Sequence, residues 1–444
     1  MEKEPLIKVG LIEGGQFARF ALAGGFVDET GKPFAAGEYT ASLDGGAVKL
    51  DGATDAGASS LLLSPVDFDA CRITVHDVTI GIDFHWQRKE SQQFQGALGF
   101  VPGQKGLTVI NELPLESYLV SVISSEMSAS CPPELLRAHA VVSRSWLLAQ
   151  LNQANRTTPA SPRRETEDEI IRWYDRESHG NFNVCADDHC QRYQGISKAF
   201  SQAAFDAIAA TRGKALVWDG EVCDTRYSKS CGGMTEVYAA AWEDKDVPYL
   251  AAIYDALGEP AGYGLPLTVE ENAQKWIASA PPAYCNASSP ELLARILPDF
   301  DQETRDFYRW QVTYTQDELR EILEARLGVD FGRIRALESL ERGESGRIIR
   351  LRIVGEKKTL TIGKELEIRR ALSRSHLYSS AFVVSAERNA GEEYPARFRL
   401  IGAGWGHGVG LCQIGAAVMA DRGHMHEEIL AHYFRGAALK RLYE

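Results

Sequence analysis

Between Leu113 and Gln150 hydrophobic and polar residues alternate with the period of a helix. In LPLESYLVSVISSE, the residues Leu115, Leu119, Val122 and Ile123 form one apolar stripe. Ser124, Ser125, Ser128 and Ser130 then loosen the pattern, and Pro132 stops it. A second helix is expected from Pro132–Pro133 to about Gln150, because proline suits a first helical turn. Glu126 falls on the continuation of the apolar stripe, at the end of one helix and beside the start of the next. Partial shelter there would raise the pKa of a carboxyl group, which is what an acid catalyst working near neutral pH needs.

Elsewhere the period changes. From Lys8 to about Pro102 the chain alternates with period two or runs β-branched, broken by Gly- and Asp-rich turns, and reads as strands. The polar stretch 152–180 is expected to be a surface excursion with a short helix around Glu167–Arg176. An alanine-rich helix from Ser197 to Thr211 should end at Gly213, and a hairpin should turn at Asp219–Gly220. ENAQKWIASA, SPELLARILPDF and TQDELREILEARLG are amphipathic helices followed by strands. The end of the chain reads as a strand, a glycine-dense loop and two helices bounded by Gly423 and Gly436. The expectation is an α+β protein with a β-rich N-terminal region (1–105), a catalytic core whose first half carries a metal loop (106–260), an inserted helical and strand lobe (261–370), and the second half of the core (371–444).

Composition narrows the functional classes. A formal charge of −13 with no basic cluster argues against a nucleic-acid binder. No apolar run reaches the length of a membrane span, and the N-terminus is not a secretory signal as written. The expectation is therefore a protein that stays inside the cell, or a mature form that has lost its leader. Eight scattered cysteines are too few for a disulfide scaffold.

Three clusters could carry chemistry. His179, Cys185 and Cys190, with His189 as a possible fourth, have the ligand types and short spacings that zinc prefers. The alternatives are a Cys185–Cys190 disulfide or two free thiols. Gly402, Gly404, Gly406, Gly408 and Gly410 alternate in a loop that does not match a dinucleotide cradle. That loop would bring His407 and Gln413 against another surface, or simply make a tight crossing. Tyr227 and Lys229 precede Cys231-Gly-Gly at the end of a strand, where ordinary hairpin polarity is the plainer reading. For Glu126 the plain alternative is a core ion pair with Arg137 or Arg144.

Taken together and in order, ELPLESYLVSVISSEMSASCPPELLRAHAVVSRSW, HCQRYQG, YSKSCGGMTE with WEDKDVPYL, and GWGHGVGLCQIGAAVMADRG with EEILAHYF resemble the sporulation stage II protein D / LytB family of peptidoglycan lytic transglycosylases and amidase enhancers. The resemblance implies that Glu126, of the E-M pair, is the catalytic acid/base. It implies that His179, Cys185 and Cys190 bind a structural zinc ion, and that Tyr227, Lys229, His407 and Gln413 contact the glycan. Arg144 is a further candidate contact. The partners implied are peptidoglycan glycan strands and a cell-wall amidase, with non-catalytic amidase enhancement as the alternative function. Cys231 and Cys412 stand where small residues would serve, which leaves a disulfide or an unusual pocket open there.

Overall fold

A computed structural model of the chain describes residues 3–51, 59–81, 87–128, 130–154, 163–173, 179–187, 189–197, 201–258, 260, 262–287, 289–297 and 306–444. The fold is α+β and divides into two compact units. Unit 1 comprises Met1–Thr157, Glu177–Ala215 and Leu439–Glu444, and unit 2 comprises Thr158–Arg176 and Leu216–Ala438. Residues 261–370, expected as a separate insertion, lie within unit 2 together with 216–260 and 371–438.

Unit 1 is built on two sheets. In one, Leu6–Gly15 lies between Val184–Cys185 and Gly106–Pro114. In the other, Phe17–Ala23 lies between Gly37–Asp44 and Arg72–Ile80. The period-two pattern has its expected cause: Ile7, Val9, Phe20 and Phe100 are buried, and the rings of Phe20 and Phe100 lie 5.0 Å apart. The strand Gly106–Pro114 ends where Pro114 pairs with Leu6 and runs directly into helix α1, Leu115–Glu126, since Pro114 has no N–H to donate to the ladder and fits the helix start. Leu115, Leu119, Val122 and Ile123 are buried, as their spacing required. Helix α2, Pro133–Ala154, and helix α3, Gln202–Thr211, pack on α1 and on each other.

In unit 2, a three-stranded sheet places Arg397–Ala403 between Arg309–Thr315 and Phe382–Glu387. Its core includes Trp310, Leu319, Leu323, Phe331 and Phe398. The helix Gln316–Leu327 begins in a Thr315–Glu318 capping box and ends on the left-handed Gly328, so both of its termini are satisfied locally. A five-stranded sheet includes Glu169–Arg172, which pairs in parallel with Thr359–Gly363. The short helix expected around Glu167–Arg176 is therefore a strand over its described part, because a partner edge far along the chain pairs its backbone. The hairpin at Asp219–Gly220 is present, pairing Val217 with Val222. Among the described residues no helix is long and apolar enough to cross a membrane.

Candidate functional site

Glu126 is the last residue of α1 and is half-buried. Its Oε1 accepts the backbone N–H of Arg192 at 3.2 Å. Arg192 belongs to a segment tied along α1 at two further points. Tyr118 donates its hydroxyl to Gln191 Oε1 at 3.3 Å, and the backbone of Gln194 donates to Ser121 Oγ at 3.2 Å. Tyr193 stacks on Tyr118 at 5.2 Å and donates to Asn111 at 2.5 Å. The segment Gln191–Gln194 thus clasps the face of α1 that leads to the carboxylate.

The same segment begins at a metal-type cluster. The ligand atoms of His179, Cys185, His189 and Cys190 all lie within 4.8 Å of one another. His179 Nε2 is 3.3 Å from Cys190 Sγ, and His189 Nδ1 is 3.5 Å from Cys190 Sγ and 3.8 Å from Cys185 Sγ. The backbone explains how they meet. Val184–Cys185 pairs in parallel with Val9–Gly10, and His179 stacks on Phe182 at 4.5 Å. Gly10 is needed there, since a Cβ would come within 2.6 Å of the Phe182 ring. The hydrogen bond from Cys190 holds the Cys185 thiol down at about 2, against burial, with His179 and His189 adding to the effect. A thiolate beside a second sulfur and two imidazoles is a donor set that fits a soft divalent ion. No disulfide joins Cys185 and Cys190.

Arg144 requires a correction. Expected among the substrate contacts, it is wholly buried and holds Glu116 bidentately, Nε to Oε1 at 3.0 Å and Nη2 to Oε2 at 2.6 Å. It also donates to the carbonyl of Lys214 at 3.1 Å. Glu116 receives Gly213 N–H at 3.2 Å and the Tyr443 hydroxyl at 2.6 Å as well. A guanidinium with no surface cannot meet a glycan. Arg137, the other arginine considered for Glu126, pairs with Glu134.

In unit 2 the structure brings Tyr227, Lys229, His407 and Gln413 together. Tyr227–Ser228 pairs in parallel with Leu411–Cys412, and Ile414 N–H donates to the Lys229 carbonyl at 3.1 Å. Gln413, buried, opens the next helix. His407 keeps some exposed surface, yet desolvation, with Arg226, Arg369 and Arg347 nearby, pushes its imidazole well below the usual range. Its Nδ1 accepts Val409 N–H at 3.0 Å, it bonds the Tyr227 backbone, and its ring meets Trp242 edge-on at 4.7 Å.

The glycine-dense loop wraps a residue that the sequence did not single out. Arg347, wholly buried, donates Nη2 to the Gly406 carbonyl at 3.0 Å and Nη1 to the Cys231 carbonyl at 3.2 Å. A Cβ on Gly408 would lie 2.5 Å from its guanidinium carbon. Nearby, Glu236 is buried and accepts Ser345 Oγ at 2.6 Å and the backbone N–H groups of Ser345 and Glu344. Burial pushes its carboxyl up. Cys231 and Cys412 are free, with the Cys231 N–H donating to Cys412 Sγ at 3.2 Å. Of the two alternatives left open for them, the disulfide is not formed.

Comparison with known proteins accounts for both parts of the chain. Residues 103–218 match the Stage II sporulation protein family, and residues 236–410 match a domain of unknown function. Stage II sporulation protein D of Bacillus amyloliquefaciens is 23% identical over 330 residues, 74% of each chain. An uncharacterized protein of Brachyspira hyodysenteriae is 25% identical over 78% of this chain and 71% of its own. An amidase enhancer of Bacillus subtilis is 22% identical over 72% of this chain but only 40% of its own length. The block that clasps Glu126 lies within the matched Stage II sporulation protein domain, and the chain is similar over most of its length to stage II sporulation protein D and to an amidase enhancer.

Proposed function

We propose that this protein is a peptidoglycan lytic transglycosylase in which Glu126 is the single acid and base. The observation that carries the proposal is the attachment of the half-buried Glu126 carboxylate to Arg192 N–H, two residues beyond the metal-type cluster. A carboxylate held in one orientation by a backbone donor, at a helix end with some access to solvent, is positioned for proton transfer. A hydrolytic glycosidase needs two carboxylates, one of them to activate water or attack the sugar. A lytic transglycosylase needs one. Glu126, protonated, gives its proton to the glycosidic oxygen between MurNAc and GlcNAc as the C1–O bond breaks. The resulting carboxylate takes the proton of the MurNAc 6-hydroxyl as that oxygen bonds to C1, leaving a 1,6-anhydroMurNAc end.

His179, Cys185 and Cys190, with His189 as a fourth donor, would hold zinc. A closed set of four ligands gives a structural ion, which would fix the loop bearing Arg192. Tyr227 and Lys229 are proposed glycan contacts of unit 2, with His407 holding Tyr227 through its backbone; Gln413, expected beside them, is buried and opens the next helix. The test is incubation of wild type and Glu126→Gln with glycan strands stripped of stem peptides. Wild type should release anhydro products and the variant should not; release of none by wild type would sink the enzymatic reading.

The likeness to an amidase enhancer favours a second reading, in which the protein binds glycan strands and stimulates a cell-wall amidase. Stimulation that survives Glu126→Gln, with no glycan cleavage by wild type, would select it.

A further inference from the structure

Unit 2 gathers a second set of soft ligands far from α1 in sequence. Cys231, Asp255, Cys285 and Cys412 are all buried, and their ligand atoms lie within 4.8 Å of one another. Cys231 Sγ is 3.5 Å from Cys285 Sγ and 3.3 Å from Asp255 Oδ2. Sulfurs bound at about 2.3 Å to one tetrahedral ion stand roughly 3.7 Å apart, so the spacing suits a single four-coordinate ion. An iron–sulfur cluster, which places several metal atoms between its thiolates, would spread them wider.

The surroundings are those of a ligand set rather than of hydrophobic filler. Asp255 is wholly buried and turned towards the thiols, a costly arrangement for a carboxylate unless a cation joins it. Its other oxygen accepts the Tyr433 hydroxyl at 2.7 Å and lies 3.5 Å from His432 Nε2. Cys412 Sγ receives two backbone amides, Cys231 N–H at 3.2 Å and Gly415 N–H at 3.4 Å. Outer hydrogen bonds of this kind orient metal ligands. Arg347 and Arg309 donate to the carbonyls of Cys231 and Gly232, at 3.2 and 3.1 Å, bringing positive charge to the same turn. Buried free cysteines often pack as small hydrophobes, but that role explains neither the carboxylate nor the convergence of separate chain segments.

We infer that Cys231, Asp255, Cys285 and Cys412 form a second metal site, taking one divalent ion of the zinc class. The ion staples the turn after Tyr227–Ser228 to the start of the helix Gln413–Asp421 and to the segments bearing Asp255 and Cys285. It thereby fixes Tyr227, Lys229 and Gln413. The inference does not depend on the catalytic proposal, and its readout is metal content rather than activity.

The test is elemental analysis of the full chain purified without chelator. Wild type should carry about two zinc equivalents, one for each four-ligand cluster. The Cys185→Ser/Cys190→Ser protein should keep one, and Cobalt(II) bound to it should show thiolate charge-transfer absorption with tetrahedral d–d bands. Cys285→Ser should lower the wild-type content by one. Should Cys285→Ser fail to fold, Asp255→Asn, which keeps every thiol and nearly the same volume, supplies the same readout. A Cys185→Ser/Cys190→Ser protein without metal overturns the inference, as does an unchanged metal content in Asp255→Asn. Peptide mapping that finds Cys231, Cys285 or Cys412 in a disulfide in freshly purified protein also overturns it.

Discussion

Helix α1 carries a glutamate at each end, and the two have opposite fates. Glu116 is buried and takes Arg144, Gly213 N–H and the Tyr443 hydroxyl. Glu126 is half-buried and accepts the backbone amide of Arg192, in the segment that follows the His/Cys cluster. The first is a satisfied ionic centre whose role is to hold α1, α2 and the chain end together. The second has access to solvent and a fixed orientation, the two conditions proton transfer to an external group requires. In the proposed reading the same side chain, on the same helix, is structural at one end and chemical at the other, according to what closes around it.

The sharpest separation comes from the paired substitutions. Glu126→Gln should cut glycan cleavage by about 10²–10⁴-fold while changing stability by less than about 1 kcal/mol, read from product release and chemical denaturation. Glu116→Gln should do the reverse. It leaves the buried Arg144 guanidinium short of its counter-charge and should cost about 3–5 kcal/mol in denaturant unfolding, with activity per folded molecule kept. A stable Glu116→Gln protein would break the comparison.

Next in size is the loop that links the metal-type cluster to Glu126. Cys185→Ser/Cys190→Ser should lose that cluster's metal and lower activity by about 10–100-fold, because Arg192 N–H is no longer held against the carboxylate. Metal analysis beside turnover checks it.

The smallest effect is a pH dependence of stability that arises in unit 2. Burial, with Arg369, Arg370 and Arg326 near it, lowers the His376 imidazole to about 4, and His407 is pushed down in the same direction. The unfolded chain takes up these protons near pH 6.5, before the folded one does. Stability present above about 6.5 is therefore lost as pH falls towards 4. The melting temperature should decline over that window, and His376→Asn should flatten part of the decline.

What the sequence made legible follows from range. The apolar stripe of α1, the proline start of α2 and the Asp219–Gly220 hairpin depend on neighbours and could be read directly. The grouping of His179, Cys185 and Cys190 was legible for the same reason. Nothing local marked Glu116, because its partners Arg144 and Tyr443 lie far along the chain. Glu169–Arg172 was misread as helical since its pairing edge, Thr359–Gly363, is equally remote. The alternate glycines signalled a close approach, but nothing local showed that Arg347 was what they approached. Asp255 and Cys285 carried no spacing signal, since their cluster assembles only when unit 2 folds.

The claim that one carboxyl group cleaves the glycan without water is tested most directly by digesting peptide-free strands in heavy-oxygen water and weighing the new ends. The account predicts ends one water lighter than reducing MurNAc, free of heavy oxygen, and missing when Glu126 is glutamine. Reducing ends labelled with heavy oxygen would contradict it.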